Sequence, residues 1–421
     1  MRLKFRLGTM VLALLLCASL DAQAATKWVR FGKLWDGHRA LANAVVAVQD
    51  GKIQSVTANG TIPSGAETVD LSRYTGLPGL IDSHTHMTFY WDRSTGATPL
   101  HQPPRHVAVT VFLAQENARK TLEAGVTTVR DLNGLDGADL ALRDLINRGA
   151  VIGPRMFVSG AGIRYMTYRH PGVTDPVAEA VKLTKSLLAS GVDWIKIYAS
   201  TGIADDLTGE QTVSYDEMKA IIDTAHAAGR KVAVHSYGPA AARDAIRAGA
   251  DTLEHATDMD DATIAALVRN KMWYVPTINH NQHYLDRADD VYKFTPETKE
   301  NLRNFIQRNF VTAQKAYRAG ARILVGSDAV YTAFGTNMQE LSWFVKLGMS
   351  NEQALQSATI LPAEMLGMEK SLGAVAPGYL ADMVAVEGDP LADISVVPNN
   401  VRWVMKAGDV VVDKTGTVRE R

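Results

Sequence analysis

Over residues 75–329 the chain alternates two hydrophobic patterns. Short β-branched runs give way to longer stretches whose apolar positions recur every three or four residues. The short runs predict eight strands, at 77–83, 127–131, 156–159, 194–199, 231–235, 252–255, 273–277 and 323–328. Between them lie helical segments such as "HVAVTVFLAQENARKTLEAG", "DPVAEAVKLTKSLLASG", "SYDEMKAIIDTAHAAG" and "PETKENLRNFIQRNFVTAQKAYRAG", several closing on the glycine expected after a helix C-terminus. Eight βα units over roughly 250 residues have the size and order of a parallel (β/α)8 TIM barrel, an α/β fold. A doubly wound open sheet is the alternative. Its Gly-rich phosphate fingerprint is missing, since Gly160-Ala161-Gly162 is a lone Gly-x-Gly.

The flanks follow a different rule. "ANAVVAVQDGKIQSVTA" is two β-rich runs joined by Asp50-Gly51, a hairpin signal, and the far end answers with "GYLADMVAVEG" and "VRWVMKAGDVVVD". The two ends, 25–74 and 370–421, are therefore expected to pair into one small β-sandwich beside a barrel of residues 75–369. Residues 1–24 read separately: Arg2, Lys4 and Arg6 precede an apolar run at 10–16, and Ala22-Gln23-Ala24 offers the small residues of a cleavage site. This is the pattern of a signal peptide, so the protein is expected to be exported, periplasmic or secreted. The run is too short for a membrane span, which needs about 20 apolar residues, and Leu16 before Cys17 fits a lipoprotein signal poorly. No membrane span is expected in the mature chain.

Composition narrows the chemistry. With 421 residues, 46% hydrophobic and 21% charged, the chain is long and apolar enough for a large core. A formal net charge of −1, with acidic and basic residues interspersed, argues against nucleic acid and for a small-molecule partner. Cys17 is the sole cysteine, so the mature chain offers no disulfide, thiol nucleophile or cysteine metal ligand.

The strand ends carry the candidate chemistry. In a (β/α)8 barrel the C-terminal ends of the strands face the mouth where catalysis occurs. His84 and His86 end the first strand, Lys196 lies in the fourth, His235 and His255 end the fifth and sixth, and Asp328 ends the eighth. Alternation places His84 and His86 on one face, so two imidazoles can reach one ion. Lys196 needs explaining, because an unpaired buried ammonium is costly. It either pairs with Asp328 or Glu254, or loses its proton on burial and takes up carbon dioxide as a carbamate, which would bridge two cations.

The order His-x-His, Lys, His, His, Asp on strands 1, 4, 5, 6 and 8, with "GLIDSHTH" and "GSDA", resembles the amidohydrolase superfamily in its binuclear form. The likeness runs through the mature chain to "LGAVAPGYLADMVAVEGDPLADI". "GVTTVRDL" at 125–132 and His235-Ser236-Tyr237-Gly238 resemble the imidazolonepropionase-like branch that includes Xaa-Pro dipeptidases, carboxypeptidases and ochratoxin-cleaving amidases. The resemblance implies that His84, His86 and Asp328 hold one metal, that carboxylated Lys196 bridges, and that His235 and His255 hold a second. Two Zn²⁺ ions are the expected cofactors, since nitrogen and oxygen ligands without cysteine suit an open catalytic zinc site. It further implies attack by a metal-bridged hydroxide, with Asp328 passing a proton to the leaving amine. Relatives of this kind often self-assemble, so a homo-oligomer is expected.

Four more residues complete the expected site. Tyr237 follows His235 by two and is assigned to the developing oxyanion. His170 lies where related prolidases carry Gly-Gly-His-Gly, whereas this chain reads Tyr168-Arg169-His170-Pro171-Gly172. Arg164 and Arg169 are candidates for a substrate carboxylate. The long segments "FYWDRSTGATPLHQPPRH" and "INHNQHYLDRADDVYKF" read as lids that shape the pocket around an apolar or aromatic group. The expected reaction is cleavage of an amide or peptide bond that releases an amino acid from a dipeptide or N-acyl amino acid. A lactonase, cyclic amidase or phosphotriesterase on the same metals is one alternative, and a noncatalytic exported metal-binding protein is another.

Overall fold

The computed structural model describes residues 26–164, 173–203 and 206–416. The segment 1–24, with its signal-peptide reading, lies outside them, as do Arg169 and His170. Two sheet systems organise the rest. The first uses both chain ends: β1 (Lys27–Trp35), β2 (Ala40–Gln49), β3 (Lys52–Thr57) and β4 (Thr68–Pro78) from the front, β14 (Met383–Val386), β15 (Val401–Lys406) and β16 (Asp409–Asp413) from the back. They form one seven-stranded sheet in the order β16-β15-β14-β4-β1-β2-β3. The Asp50-Gly51 turn has φ of 50° and 71°, the left-handed pair that a tight hairpin requires. The two ends thus meet as expected, their strands joined in one hydrogen-bonded ladder.

That sheet has its own core of Val29, Phe31, Leu34, Val46, Ile53, Met383, Trp403 and Met405. Phe31 and Trp403 meet edge to face with centroids 6.3 Å apart, joining the front and back of the chain. Each of these fully buried side chains contributes about 1.5–3 kcal/mol of transfer free energy.

Between the ends lie β5 (Leu80–Thr85), β6 (Val126–Asp131), β7 (Arg155–Val158), β8 (Ile163–Arg164), β9 (Trp194–Tyr198), β10 (Lys231–Ser236), β11 (Thr252–His255), β12 (Trp273–Val275) and β13 (Arg322–Ile323). They pair in parallel as β5-β6-β7 and β8-β9-β10-β11-β12-β13. The two runs are linked at both seams. Asp193 N donates to Val158 O at 2.8 Å, and across the other seam Ser83 N donates to Val325 O at 2.9 Å and Asp328 N to His84 O at 2.7 Å. The result is a TIM-barrel-like α/β fold. Ile195, Ile197, Val232 and Val234 pack outward under the helices, while Trp194, Ala233, Trp273, Val275 and Leu324 fill the interior. This is the alternation expected of half-turned barrel strands.

Boundaries shift where local chemistry interrupts the ladder. Leu77 and Pro78 belong to β4, and Gly79 makes the junction; a Cβ there would lie 2.2 Å from Thr127 Oγ1. β12 stops at Val275 because Pro276 has no N–H to donate and Thr277 turns left-handed at φ 50°. Beyond Ile323 the eighth strand continues as scattered hydrogen bonds, ending at Asp328 with φ 51°. Helix ends follow the chemistry read from the chain: Ser214 and Glu217 form a capping box, and Gly125, Gly191, Gly229 and Gly320 all have positive φ. Among the described residues no helix is long and apolar enough to cross a membrane.

Candidate metal centre and active site

Six side chains from five strand ends converge at the barrel mouth. His84, His86, Lys196, His235, His255 and Asp328 are all buried. Asp328 is the hub: its Oδ1 lies 2.9 Å from His86 Nε2 and 3.5 Å from His84 Nε2, and its Oδ2 lies 3.8 Å from His255 Nδ1. One ligand atom each from His84, His255 and Asp328 falls within 4.8 Å of the others. The His235 ring stands 4.5 Å from that of His255. Lys196 reaches in from the fourth strand to place Nζ 3.4 Å from His84 Nε2.

Protonation suits a cation. Burial, then the charge of Lys196, lowers His84 to about 4; burial also holds His235 and His255 well below the ordinary imidazole value. All three are neutral at pH 7 and carry a free lone pair. Burial alone would raise Asp328, but His280, His84 and His86 outweigh it and keep the carboxylate ionised. Burial lowers the Lys196 amine to about 8 against the pull of Glu254 and Asp328. The ion-pair reading of Lys196 is corrected here: no carboxylate among the described residues lies within salt-bridge distance of Nζ, because Glu254 is turned to other partners. His86 Nδ1 and His235 Nε2 are buried with no hydrogen-bond partner among the described residues. Unpartnered ring nitrogens, neutral imidazoles and an ionised carboxylate at one spot fit a divalent ion.

A second layer fixes this set. Glu254 Oε2 lies 2.8 Å from His84 Nδ1, and its Oε1 accepts from Arg130 at 2.9 Å and from Thr252 Oγ1. Burial would raise Glu254, yet Arg130 and His84 bring it down to about 2. An ionised Glu254 accepts a hydrogen bond from Nδ1–H and leaves His84 Nε2 facing the centre, the usual way a carboxylate orients a ligand histidine. Arg130 also donates to Ser83 O at 2.6 Å and lies over the Trp194 ring, 4.6 Å from its centroid. His255 Nδ1 lies 2.6 Å from Thr277 Oγ1. Asp82 accepts from Ser327 N and Oγ at 2.9 and 2.6 Å, tying the first strand to the eighth.

A cavity of about 210 Å³ opens over the centre, lined among others by His86, Arg164, Tyr198, Tyr237, His255, His280 and Asp328. The Tyr237 ring stacks on His235 at 4.9 Å and is seated against Gly202, where a Cβ would come within 2.4 Å of it. Burial raises its hydroxyl, so Tyr237 is a neutral donor. Arg164 lies 3.9 Å over the Tyr198 ring. Phe89, Tyr284 and Tyr331 also line the cavity, the rings of Phe89 and Tyr331 meeting edge to face at 5.8 Å. Arg169 and His170 lie outside the described residues.

The family model for the amidohydrolase family matches residues 75–411. The chain belongs to the amidohydrolase family. Ochratoxinase of Aspergillus niger is 28% identical over 410 residues, covering 87% of this chain and 82% of that enzyme. Imidazolonepropionase of Symbiobacterium thermophilum is 26% identical, covering 93% and 95%. A crystal structure of a Xaa-Pro dipeptidase with methionine bound in its active site superposes with a TM-score of 0.83 at 29% identity, covering 92% of this chain and 99% of the other. Membership makes the protein a hydrolase acting on carbon–nitrogen bonds, a family that works with divalent metals and small-molecule substrates.

For this amidohydrolase, reading the chain missed residues that act across large sequence separations. His280 is the clearest: its Nε2 lies 3.5 Å from Asp328 Oδ2. It was read as part of a loop, but Ile278–Asp286 is a helix whose first amides, of Ile278 and Asn279, donate to the buried Glu340 at 2.8 and 2.7 Å. A histidine three residues past a strand end was the available signal. Arg130 had one too, a cation inside the strand pattern "GVTTVRDL".

Proposed function

We propose that this amidohydrolase cleaves an amide or peptide bond and releases an amino acid from a dipeptide or N-acyl amino acid. The observation that carries the reading is the convergence of His84, His86, Lys196, His235, His255 and Asp328 at a cavity also lined by an arginine and by aromatic rings. His84, His86 and Asp328 would hold one zinc ion, His235 and His255 a second, and Lys196 as a carbamate would bridge them. Bound ions of this kind supply Lewis acidity toward a carbonyl oxygen and a water acidic enough to ionise near neutral pH.

The chain supplies the rest. Asp328, ionised and aimed into the cavity, accepts a proton at a carboxylate oxygen and returns it to the departing amine nitrogen, so that no amine anion has to leave. Tyr237 donates its hydroxyl to the carbonyl oxygen as charge grows there. Arg164 pairs with the carboxylate of the released amino acid. Phe89, Tyr284 and Tyr331 take the apolar part of the substrate and exclude water. The activities of similar proteins, an Xaa-Pro dipeptidase and an ochratoxinase, support the same bond type. The leader pattern of residues 1–24 supports export as part of this proposal.

The test is a substrate panel on the purified protein with elemental analysis. Dipeptides including Xaa-Pro, N-acyl amino acids and ochratoxin A are expected to include a substrate, with close to two divalent ions per chain. Turnover of lactones or phosphotriesters alone would overturn the amide reading. Activity indifferent to chelators in a metal-free preparation would overturn the metal reading.

A further inference from the structure

Next to the catalytic cavity lies a second hollow of about 340 Å³, lined by Tyr90, Trp91, Asp92, Arg93, Lys120, Arg287, Tyr331 and Thr332. Tyr331 lines both spaces. That residue is itself unusual: it holds φ at 47°, left-handed for a bulky side chain, fixed by a 2.9 Å hydrogen bond from its N to Phe89 O.

The hollow is basic. Three cations face one carboxylate, and that carboxylate, Asp92, already accepts from Arg105 at 2.9 Å. Arg93 lies over Trp91, 5.1 Å from the ring centroid, and has no ion pair among the described residues. Lys120 and Arg287 are paired only with exposed or half-buried carboxylates, Glu116 at 3.5 Å and Asp290 at 2.8 Å. Such surface pairs are weak and yield to a better-placed anion. Thr332 Oγ1, held by His283 at 2.9 Å and Tyr292 at 3.1 Å, gives the floor a fixed polar atom.

Barrel order decides which end of a substrate comes here. Arg164 lies on β8, which pairs with the fourth barrel strand, β9, whereas Tyr331 follows the eighth strand, and Trp91 and Arg93 follow the first. In an eight-stranded barrel strands 4 and 8 face each other across the mouth. A substrate whose amino-acid carboxylate rests on Arg164 therefore points its acyl group at Tyr331. The catalytic cavity, about 210 Å³, falls below the roughly 300–1,000 Å³ of ordinary ligand sites, and a longer acyl group must leave it.

We propose that this basic hollow is a distal acyl subsite, reached past Tyr331, for substrates whose acyl group ends in a carboxylate. The inference rests on the N-acyl amino acid reading above and names its substrate class. It is tested with adipoyl and hexanoyl derivatives of one amino acid, equal in length and differing in the terminal charge. Wild-type kcat/KM is expected to favour the adipoyl compound, and the preference should shrink with added salt. Arg93→Ala/Arg287→Ala should cut the ratio roughly tenfold, with thermal melting to show that the variant is folded. A wild-type ratio at or below one, or a ratio unchanged in the variant, overturns the subsite while leaving amide hydrolysis intact. If neither compound is cleaved, the N-acyl reading fails, and adipate alone then decides the hollow. Quenching of Trp91 fluorescence by adipate in the wild type, absent from Trp91→Phe and weakened in the double variant, supports it. No quenching overturns it.

Discussion

The end sheet and the barrel mouth are both made of short strands with alternating side chains, yet they bury opposite things. The sheet closes over Val29, Phe31, Leu34, Met383, Trp403 and Met405, an interior almost free of charge. The mouth buries Lys196, Glu254, Arg130 and Asp328 with five histidines around them. The first arrangement lowers the free energy of folding; the second raises it, since desolvating ionisable groups costs several kcal/mol for each charge that is imperfectly paired. The mouth also holds left-handed backbone at His255, Ala256, Thr277, Asp328 and Tyr331. A protein keeps such a region only when another requirement outweighs stability, and a cation centre is that requirement.

If this contrast is right, removing the least comfortable mouth residue should destroy activity without harming the fold. Lys196→Ala is expected to abolish turnover and to lower bound metal in elemental analysis, while the metal-free protein melts no earlier than wild type. Full activity in this variant would remove Lys196 from the centre. The wild-type, metal-free protein carries a matching pH signature. Its amine titrates at about 8 when folded and 10.5 ordinarily, so between these values the unfolded chain binds the extra proton and stability rises with pH. Below about 8 both states are charged and the penalty, a few kcal/mol, is fully present. Lys196→Met should flatten that rise in urea melts.

Asp328→Asn sharpens the same contrast at the hub. The amide keeps the shape but cannot carry the proton, so kcat should fall by about 10³ or more with much of the metal retained. Loss of metal in parallel with activity would assign Asp328 to ligation alone.

How far these groups could be read from the chain depends on whether their signal is local. His84 and His86 show themselves because alternation puts neighbours two apart on one face, His235, His255 and Asp328 because each ends its own strand, and Lys196 because it is a cation on the inward face of the fourth. The eight-strand order was legible for the same reason. Arg130, His280 and Glu340 were not, because their meaning lies in partners up to 124 positions away, Glu254 for Arg130 being the case in point. No periodicity encodes which strand end a buried charge will meet. The joining of the two chain ends also turns on non-local pairing, that of β14 with β4.

The supporting layer gives a smaller effect. Glu254→Gln keeps a hydrogen-bond acceptor for His84 Nδ1 but removes the charge that pairs with Arg130 and orients the ring. Metal affinity, measured by competition with a chelator, is expected to drop by roughly 10- to 100-fold. Glu254 also titrates at about 2 when folded against 4.5 ordinarily, so its contribution is complete above 4.5 and lost as pH falls toward 2. The variant should lack that part of the acid transition. Unchanged metal affinity would mean that His84 is oriented by its backbone alone.

The smallest effect on turnover is expected in the sheet, where the effect on stability is large. Trp403 is fully buried against Phe31, and Trp403→Ala should cost about 3–5 kcal/mol while kcat and metal content of the folded protein stay at wild-type values. The indole N–H has no partner, so its desolvation is an unreturned cost of about 1–3 kcal/mol. Trp403→Phe trades that cost against a smaller ring and should therefore lose much less stability than Trp403→Ala, as read from denaturation midpoints. A Trp403→Ala protein that stays fully folded but loses its metal would show that the sheet also holds the mouth in shape, and the division between a stabilising region and a working one would have to be withdrawn.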